Sequence, residues 1–343
     1  MLVRPHTLES HHHPILTTVA HILPGLALTG GIAAAALAFR AWTGIQTLSP
    51  LILSIVIGMV IGNIRRPHGV LHPGLSFSLK RLLRIGIILL GLQITLPQLL
   101  SLGLPGVAVV TLTLAATFVS TMFVGRLLGV DRRLTGLIAA GTSVCGASAV
   151  IAANAAIRGR QEDVAYAVAC VTIFGSISML LFPLLMVPLH LSAVAYGVWS
   201  GATIHEVAQV VAATFQSGEV AGQFGTIAKL ARVVLLAPLV MTLALTLFRA
   251  PSANKADRAP FPWFVIGFLA LVVLNSLIHI PASLTQDLNL VGTFLLSCGL
   301  AAMGLQTHVK QLAVEGLRPL ALGAFGWVFI SVFGFMMVKL AGF

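Results

Sequence analysis

Long apolar runs separated by short polar gaps recur along this chain from Leu23 to Leu340. A helix needs roughly 20 apolar residues, within a range of about 17 to 25, to cross the hydrocarbon core of a bilayer. Eleven stretches approach or meet that length: near 22–41, 49–64, 79–97, 105–127, 134–157, 163–188, 191–215, 225–248, 262–280, 288–306 and 318–340. The pattern predicts an all-α polytopic membrane protein of about 11 transmembrane helices. Stretch 49–64 is short and stretch 134–157 is rich in Gly and Ser, so these two are the weakest spans. Residues 1–21 read as a polar N-terminal tail and 22–343 as a single multi-span domain.

Loop charge orients the spans. Segments 65–81, 126–133, 249–258 and 308–318 carry Lys and Arg and should be cytoplasmic, whereas 98–104, 216–224 and 281–287 carry none and should be external. Eleven spans with an internal N-terminus and an external C-terminus satisfy all seven. One loop disagrees, because Arg158 and Arg160 would then lie outside, beside Glu162 and Asp163. Two arrangements follow. Broken spanning helices at 134–157 and 191–215 keep eleven spans and are the preferred reading. Re-entrant hairpins at the same places would bring the two arginines inside and leave nine.

Composition agrees with the pattern. Hydrophobic residues make up 58% of the chain and charged ones 8%, against about a quarter charged in soluble domains, and the mean hydropathy is +1.02. The net charge of +11 sits in the inter-span loops, which argues for the bilayer as partner and against nucleic acid. Cys145, Cys170 and Cys298 all lie in apolar runs and give no disulfide framework. No small-residue cleavage site follows the first run, so it reads as a retained span. His11, His12 and His13 could hold a metal weakly, but a solvated tail is the simpler reading, and neither metal nor cofactor is expected. No Walker-type loop occurs, so ATP-driven transport is not expected, and no cytoplasmic segment is long enough for an enzyme domain, so an enzyme is not expected either.

Two echoes point to internal symmetry. Gly91-Leu92-Gln93 through Gln98-Leu99 matches Gly304-Leu305-Gln306 through Gln311-Leu312, each near the end of a span and before another. Those two spans run in opposite directions, as an inverted repeat requires, with a first repeat near 49–160 and a second near 191–343. Gln93 and Gln306 would then be symmetry-related polar groups of the core. A second echo relates Gly141–Ala153 to Gly201–Ala213. Its offset differs from the first, so both cannot record one duplication, and the second reads as a shared local need.

The candidate chemistry lies in those Gly-rich places. Gly141-Thr142-Ser143-Val144-Cys145-Gly146-Ala147-Ser148 combines glycines and hydroxyls at membrane depth, where a helix that unwinds exposes N–H groups able to hold an anion. Tight helix packing would use the same residues. Thr142, Ser143, Cys145, Gly146 and Ser148 are therefore candidate substrate contacts. His205 and Glu206 are ionisable residues inside a span, expensive unless paired or hydrated, and Gln209 shares a helix face with His205. They are candidate ion-coupling residues. Gln209 stands where a zinc-binding helix would carry a second histidine, which argues against a zinc hydrolase. Lys229 and Arg232 open the eighth span and could attract an anion, or could snorkel to the interface.

The runs Gly141–Ala149, Ile204–Val210 and Lys229–Val233 with Leu236-Ala237-Pro238 resemble the YeiH-like family of bacterial membrane proteins, to which a sulfate-exporter label is attached. The likeness covers nearly the whole chain. It implies a place near the cation/proton antiporter and bile-acid transporter superfamily, whose folds are inverted repeats with broken, crossed helices. The resulting expectation is a multi-pass protein of the bacterial inner membrane that moves a small anion such as sulfate, driven by protons or sodium. A homodimer is left open. The alternatives are a cation/proton antiporter built on Glu206, or a membrane enzyme or sensor without transport.

Overall fold

The computed structural model describes residues 14–44, 49–243, 263–278, 281–307 and 316–343. His11–His13, the basic segment 249–258 and the second Gly-Leu-Gln segment from His308 to Leu312 lie outside the described residues. Each of the eleven apolar stretches is helical over most of its described residues, with interruptions that include 94–95, 144–146 and 204–206. The first two are α1 (Pro14–Thr43) and α2 (Pro50–Ile64). The third is a composite over 69–93, in which α3 (His72–Phe77) and α4 (Leu83–Leu89) are joined by a π-helical turn. A short α5 (Leu96–Ser101) leads into α6 (Gly103–Leu127). Next come α7 (Arg132–Ser143), α8 (Ala147–Ile157), α9 (Gln161–Leu185), α10 (Ala193–Thr203) and α11 (Val207–Gln216). The chain then forms α12 (Glu219–Val234), α13 (Leu236–Thr242), α14 (Trp263–Leu277), α15 (Ala282–Gln306) and α16 (Leu317–Leu340). Among the described residues, six helical segments are long and apolar enough to cross a bilayer, including those of α6, α9, α15 and α16 and the joined α12–α13.

Helix α2 packs on α15 with almost no space between backbones. A Cβ at Gly58 or Gly62 would run into the backbone of Ala301 or Leu305, and one at Gly304 into that of Ile55 and Met59. Small residues give this contact because lipid offers no hydrophobic drive for helix association, leaving close van der Waals packing to supply it.

The segments 132–157 and 193–216 do not run straight through. In the first, Gly141 lies against Val150, and Gly159 lies against Leu137 and Asn154, so α8 returns alongside α7. Arg160 then shares a surface cleft of about 500 Å³ with Gly129, Asp131 and Arg318. In the second, the Tyr196 hydroxyl donates to the carbonyl of Ala213 at 3.2 Å, so α11 returns alongside α10. Both segments are re-entrant hairpins, the second of the two arrangements open from sequence. The physical reason is charge: the hairpin puts Arg158 and Arg160 on the same side as Arg132 and Arg133, removing the single exception to the positive-inside rule. The 25 residues of α9 span about 37 Å at 1.5 Å per residue. This helix starts at the open end of the first hairpin and leads to the open end of the second, so the hairpins enter from opposite faces.

This topology is tested by labelling single cysteines with an impermeant maleimide in oriented vesicles. Arg132→Cys and Gln161→Cys should react from one side of the membrane, and Val220→Cys from the other. Reaction of Arg132→Cys and Gln161→Cys from opposite sides would restore the broken-span arrangement.

Candidate functional site

The hairpin tips meet half-way along α9. Gly141 abuts Val171, and the Gln209 amide donates to the Thr172 carbonyl at 3.1 Å and the Ser176 hydroxyl at 3.2 Å. Each tip is a break between two helices, spanning Val144–Gly146 in one and Ile204–Glu206 in the other. A break leaves the last carbonyls of one helix and the first N–H groups of the next without helical partners. At bilayer depth each such group costs several kcal/mol unless it is matched.

The carbonyls are matched by two cations from α12. The Lys229 ammonium donates to the carbonyls of Val144 at 2.8 Å, Ile204 at 2.7 Å and His205 at 2.6 Å. The Arg232 guanidinium donates through Nε to the Ser143 carbonyl at 2.6 Å, through one terminal nitrogen to Ala202 and Ile204 at 3.1 Å each, and through the other to Thr142. Positive charge thus sits at the C-terminal ends of α7 and α10, where the helix dipole is negative. All three ammonium donors and four of the five guanidinium N–H groups go to backbone oxygen.

The sequence placed these cations at the opening of a span near 225–248. In the structure α12 begins earlier, at Glu219 behind Gly218 with φ +123°. That shift moves Lys229 and Arg232 to mid-membrane, where both are fully buried, and snorkelling to the interface is ruled out. They act on the tips through carbonyls, and most of their donors are already committed there.

Glu206 serves the opposite ends. It is the N-cap of α11, and its carboxylate accepts from the N–H of Ala147, the first residue of α8. Gln209 accepts from the Glu206 N–H at 3.1 Å. Gly146 has φ +63° and ψ −131°, a conformation open essentially to glycine alone, and a Cβ there would overlap the Glu206 carboxylate.

The structure therefore brings together Thr142, Ser143, Cys145, Gly146, His205, Glu206, Gln209, Lys229 and Arg232. The Ser143 hydroxyl and His205 Nδ1 are buried with no hydrogen-bond partner among the described residues. Ser148, in the first turn of α8, is exposed. Gln93 and Gln306 are separated. The Gln93 carbonyl accepts from Gln223 in the first turns of α12, while Gln306 follows Leu305, which packs on Gly62 at the far end of α2. The pairing of Gln98 with Gln223 at 3.0 Å and the anchoring of Gln209 on α9 were not read from the sequence. Neither carries a local signal, because the partners are up to 125 residues apart.

Two opposed hairpins, closed at their tips by buried charge and framed by spanning helices, define a multi-pass membrane protein with a mid-membrane polar centre. The chain belongs to the family described as Conserved hypothetical protein 698, whose model matches residues 24–323. It is 38% identical to a UPF0324 membrane protein of Pseudomonas aeruginosa, over 95% of this chain and 96% of that one. It is 37% identical to the UPF0324 inner membrane protein YeiH of Escherichia coli, over 95% of each chain. A UPF0324 membrane protein of Bordetella bronchiseptica is 38% identical over 85% of this chain and 94% of its own. No solved structure matches. The resemblance to YeiH-like proteins is thereby confirmed, and the expected inner-membrane location agrees with the relatives' names.

Removing either cation should open the tips. Lys229→Ala and Arg232→Ala should each lose about 3 kcal/mol or more, the scale of leaving several buried carbonyls without donors, and should unfold at lower temperature in detergent than an Arg126→Ala control. Unchanged melting would refute the clamp. Gly146→Ala should destabilise as well, through both its backbone angle and the displaced carboxylate, with loss of monodisperse protein as the readout.

Proposed function

We propose that the protein is a secondary transporter that exports a small inorganic or organic anion, such as sulfate or another sulfur oxyanion, coupled to a proton or sodium gradient. The observation that carries this reading is the carboxylate of Glu206 on the N–H of Ala147. An anionic oxygen already occupies the N-terminus of α8, the kind of place where backbone donors and the helix dipole favour anions. Broken helices meeting at mid-membrane are also the arrangement in which many secondary transporters hold substrate.

In this reading the Thr142–Ser148 segment supplies the seat. Lys229 and Arg232 supply fixed positive charge from behind the carbonyls, with direct donation secondary. Protonation of Glu206, assisted by His205, removes its negative charge and frees the Ala147 N–H. A substrate oxygen then takes the carboxylate's place. The proton on Glu206 travels with the anion, so export of sulfate carries one net negative charge outward and is favoured by the inside-negative potential, by about 2.3 kcal/mol per charge per 100 mV. The opposed hairpins would be the moving halves of an inverted repeat.

The cation/proton antiporter remains the second reading, and Glu206 is what favours it. Two buried cations facing the same tips weigh against a bound metal cation there. Sulfate flux into proteoliposomes separates the readings. The wild type should accumulate sulfate when a pH gradient is imposed. Glu206→Gln should keep sulfate-for-sulfate exchange and lose gradient-driven accumulation at least tenfold. No oxyanion flux and no thermal shift with any oxyanion would defeat the anion reading.

A further inference from the structure

Three threonines on α6 break a habit of this chain. Four buried threonines in other helices donate to the carbonyl four residues back, Thr172 to Val168, Thr203 to Trp199, Thr214 to Val210 and Thr226 to Gly222, although Ser143, Ser200 and Ser297 do not. Thr113, Thr117 and Thr121 are each fully buried, yet none of their hydroxyls has a hydrogen-bond partner among the described residues. At spacings of four they share one face of the helix and mark a line about 12 Å long. Other faces of α6 carry apolar side chains to the surface, including Val107, Leu112, Val119 and Phe123.

That line runs past both hairpin tips. Gly326 of α16 sits between Thr121 and Thr142, and Gly334 of α16 sits between Thr113 and Thr203. Thr203 is the last residue of α10 and Thr142 the last but one of α7, each in the final turn before a break. The two glycines hold α16 close, and the threonine line passes from one helix break to the other. Packing alone would be served as well by valine, which has the same shape and no hydroxyl to leave unmatched.

We infer that Thr113, Thr117 and Thr121 line the path of the transported oxyanion past the hairpin tips, their hydroxyls donating in turn to its oxygens. This inference rests on the anion-transport reading above. It extends the site to a helix that neither hairpin contains, and gives the unmatched hydroxyls an acceptor in the oxygens of the passing anion.

The test uses two measurements on the full-length protein. The triple variant Thr113→Val, Thr117→Val, Thr121→Val should melt at or above the wild-type temperature, because unmatched hydroxyls are gone. Its sulfate flux should fall at least tenfold, and Thr117→Ser alone should stay within twofold of wild type. Separately, Thr117→Cys should react with a small water-borne thiosulfonate reagent, mapped by peptide mass, and sulfate should slow that reaction. Wild-type flux in the triple valine variant, or no reaction at Thr117→Cys, would overturn the inference while leaving the transport reading in place. Reaction at Thr117→Cys that no sulfur oxyanion slows would overturn the oxyanion assignment. Absence of flux from the wild type would instead strike the transport reading itself.

Discussion

Everything at the centre of this protein depends on matching four helix ends that stop in the middle of the membrane. Two of them are C-terminal, and their carbonyls converge on Lys229 and Arg232. The other two are N-terminal and share Glu206, as N-cap of α11 and as acceptor from α8. Without these three side chains the hairpins would present bare peptide groups to a medium with no water to satisfy them. With them, backbone that would otherwise be forbidden becomes a polar centre. The cost of burying the charges is offset by the dipoles they meet.

Positioning follows from elements further out. Helix α9 receives Gln209 at its mid-point and so fixes the depth of the second tip. Helix α12 runs beside α10, with Gly197 and Gly201 letting its backbone come close, and that contact delivers the two cations to the right level. Trp199 ties α10 to α16 through the Ser331 carbonyl at 2.8 Å and stacks on Phe182 of α9, with ring centroids 4.0 Å apart. The centre is thus held by helices that span, while the parts that could release an anion are the short ones that do not.

Much of this was legible in the amino-acid sequence. Hydropathy found each of the eleven helical stretches, and the density of Gly, Ser and Thr at 141–148 found the first break. His205 and Glu206 marked the second because ionisable residues are rare at that depth. The direction of a hairpin is invisible to hydropathy, which counts apolar residues and does not see a chain turn back. Two signals for it were present: the arginines at 158 and 160, and the Gly141–Gly201 echo, which falls on the two breaks in the same register. The echo at Gln93 and Gln306 lies at opposite ends of the bundle, because the two helices that carry it run antiparallel. The start of α12 was misplaced because Glu219 and Gln223 look like loop residues, although Gln223 is buried against Gln93 and Gln98. The donors of Lys229 and Arg232 go to backbone oxygens, a role no side-chain motif announces.

The central claim is that an anion and the Glu206 carboxylate compete for one seat at the start of α8. Linkage then requires that anion binding draw a proton onto the protein. The direct measurement is proton uptake by the purified protein in weak buffer as sulfate is added, followed with a pH-sensitive dye. The wild type should take up on the order of one proton per anion bound, and Glu206→Gln should bind sulfate with no uptake. Sulfate binding to the wild type without proton uptake, or equal uptake by Glu206→Gln, would contradict the account.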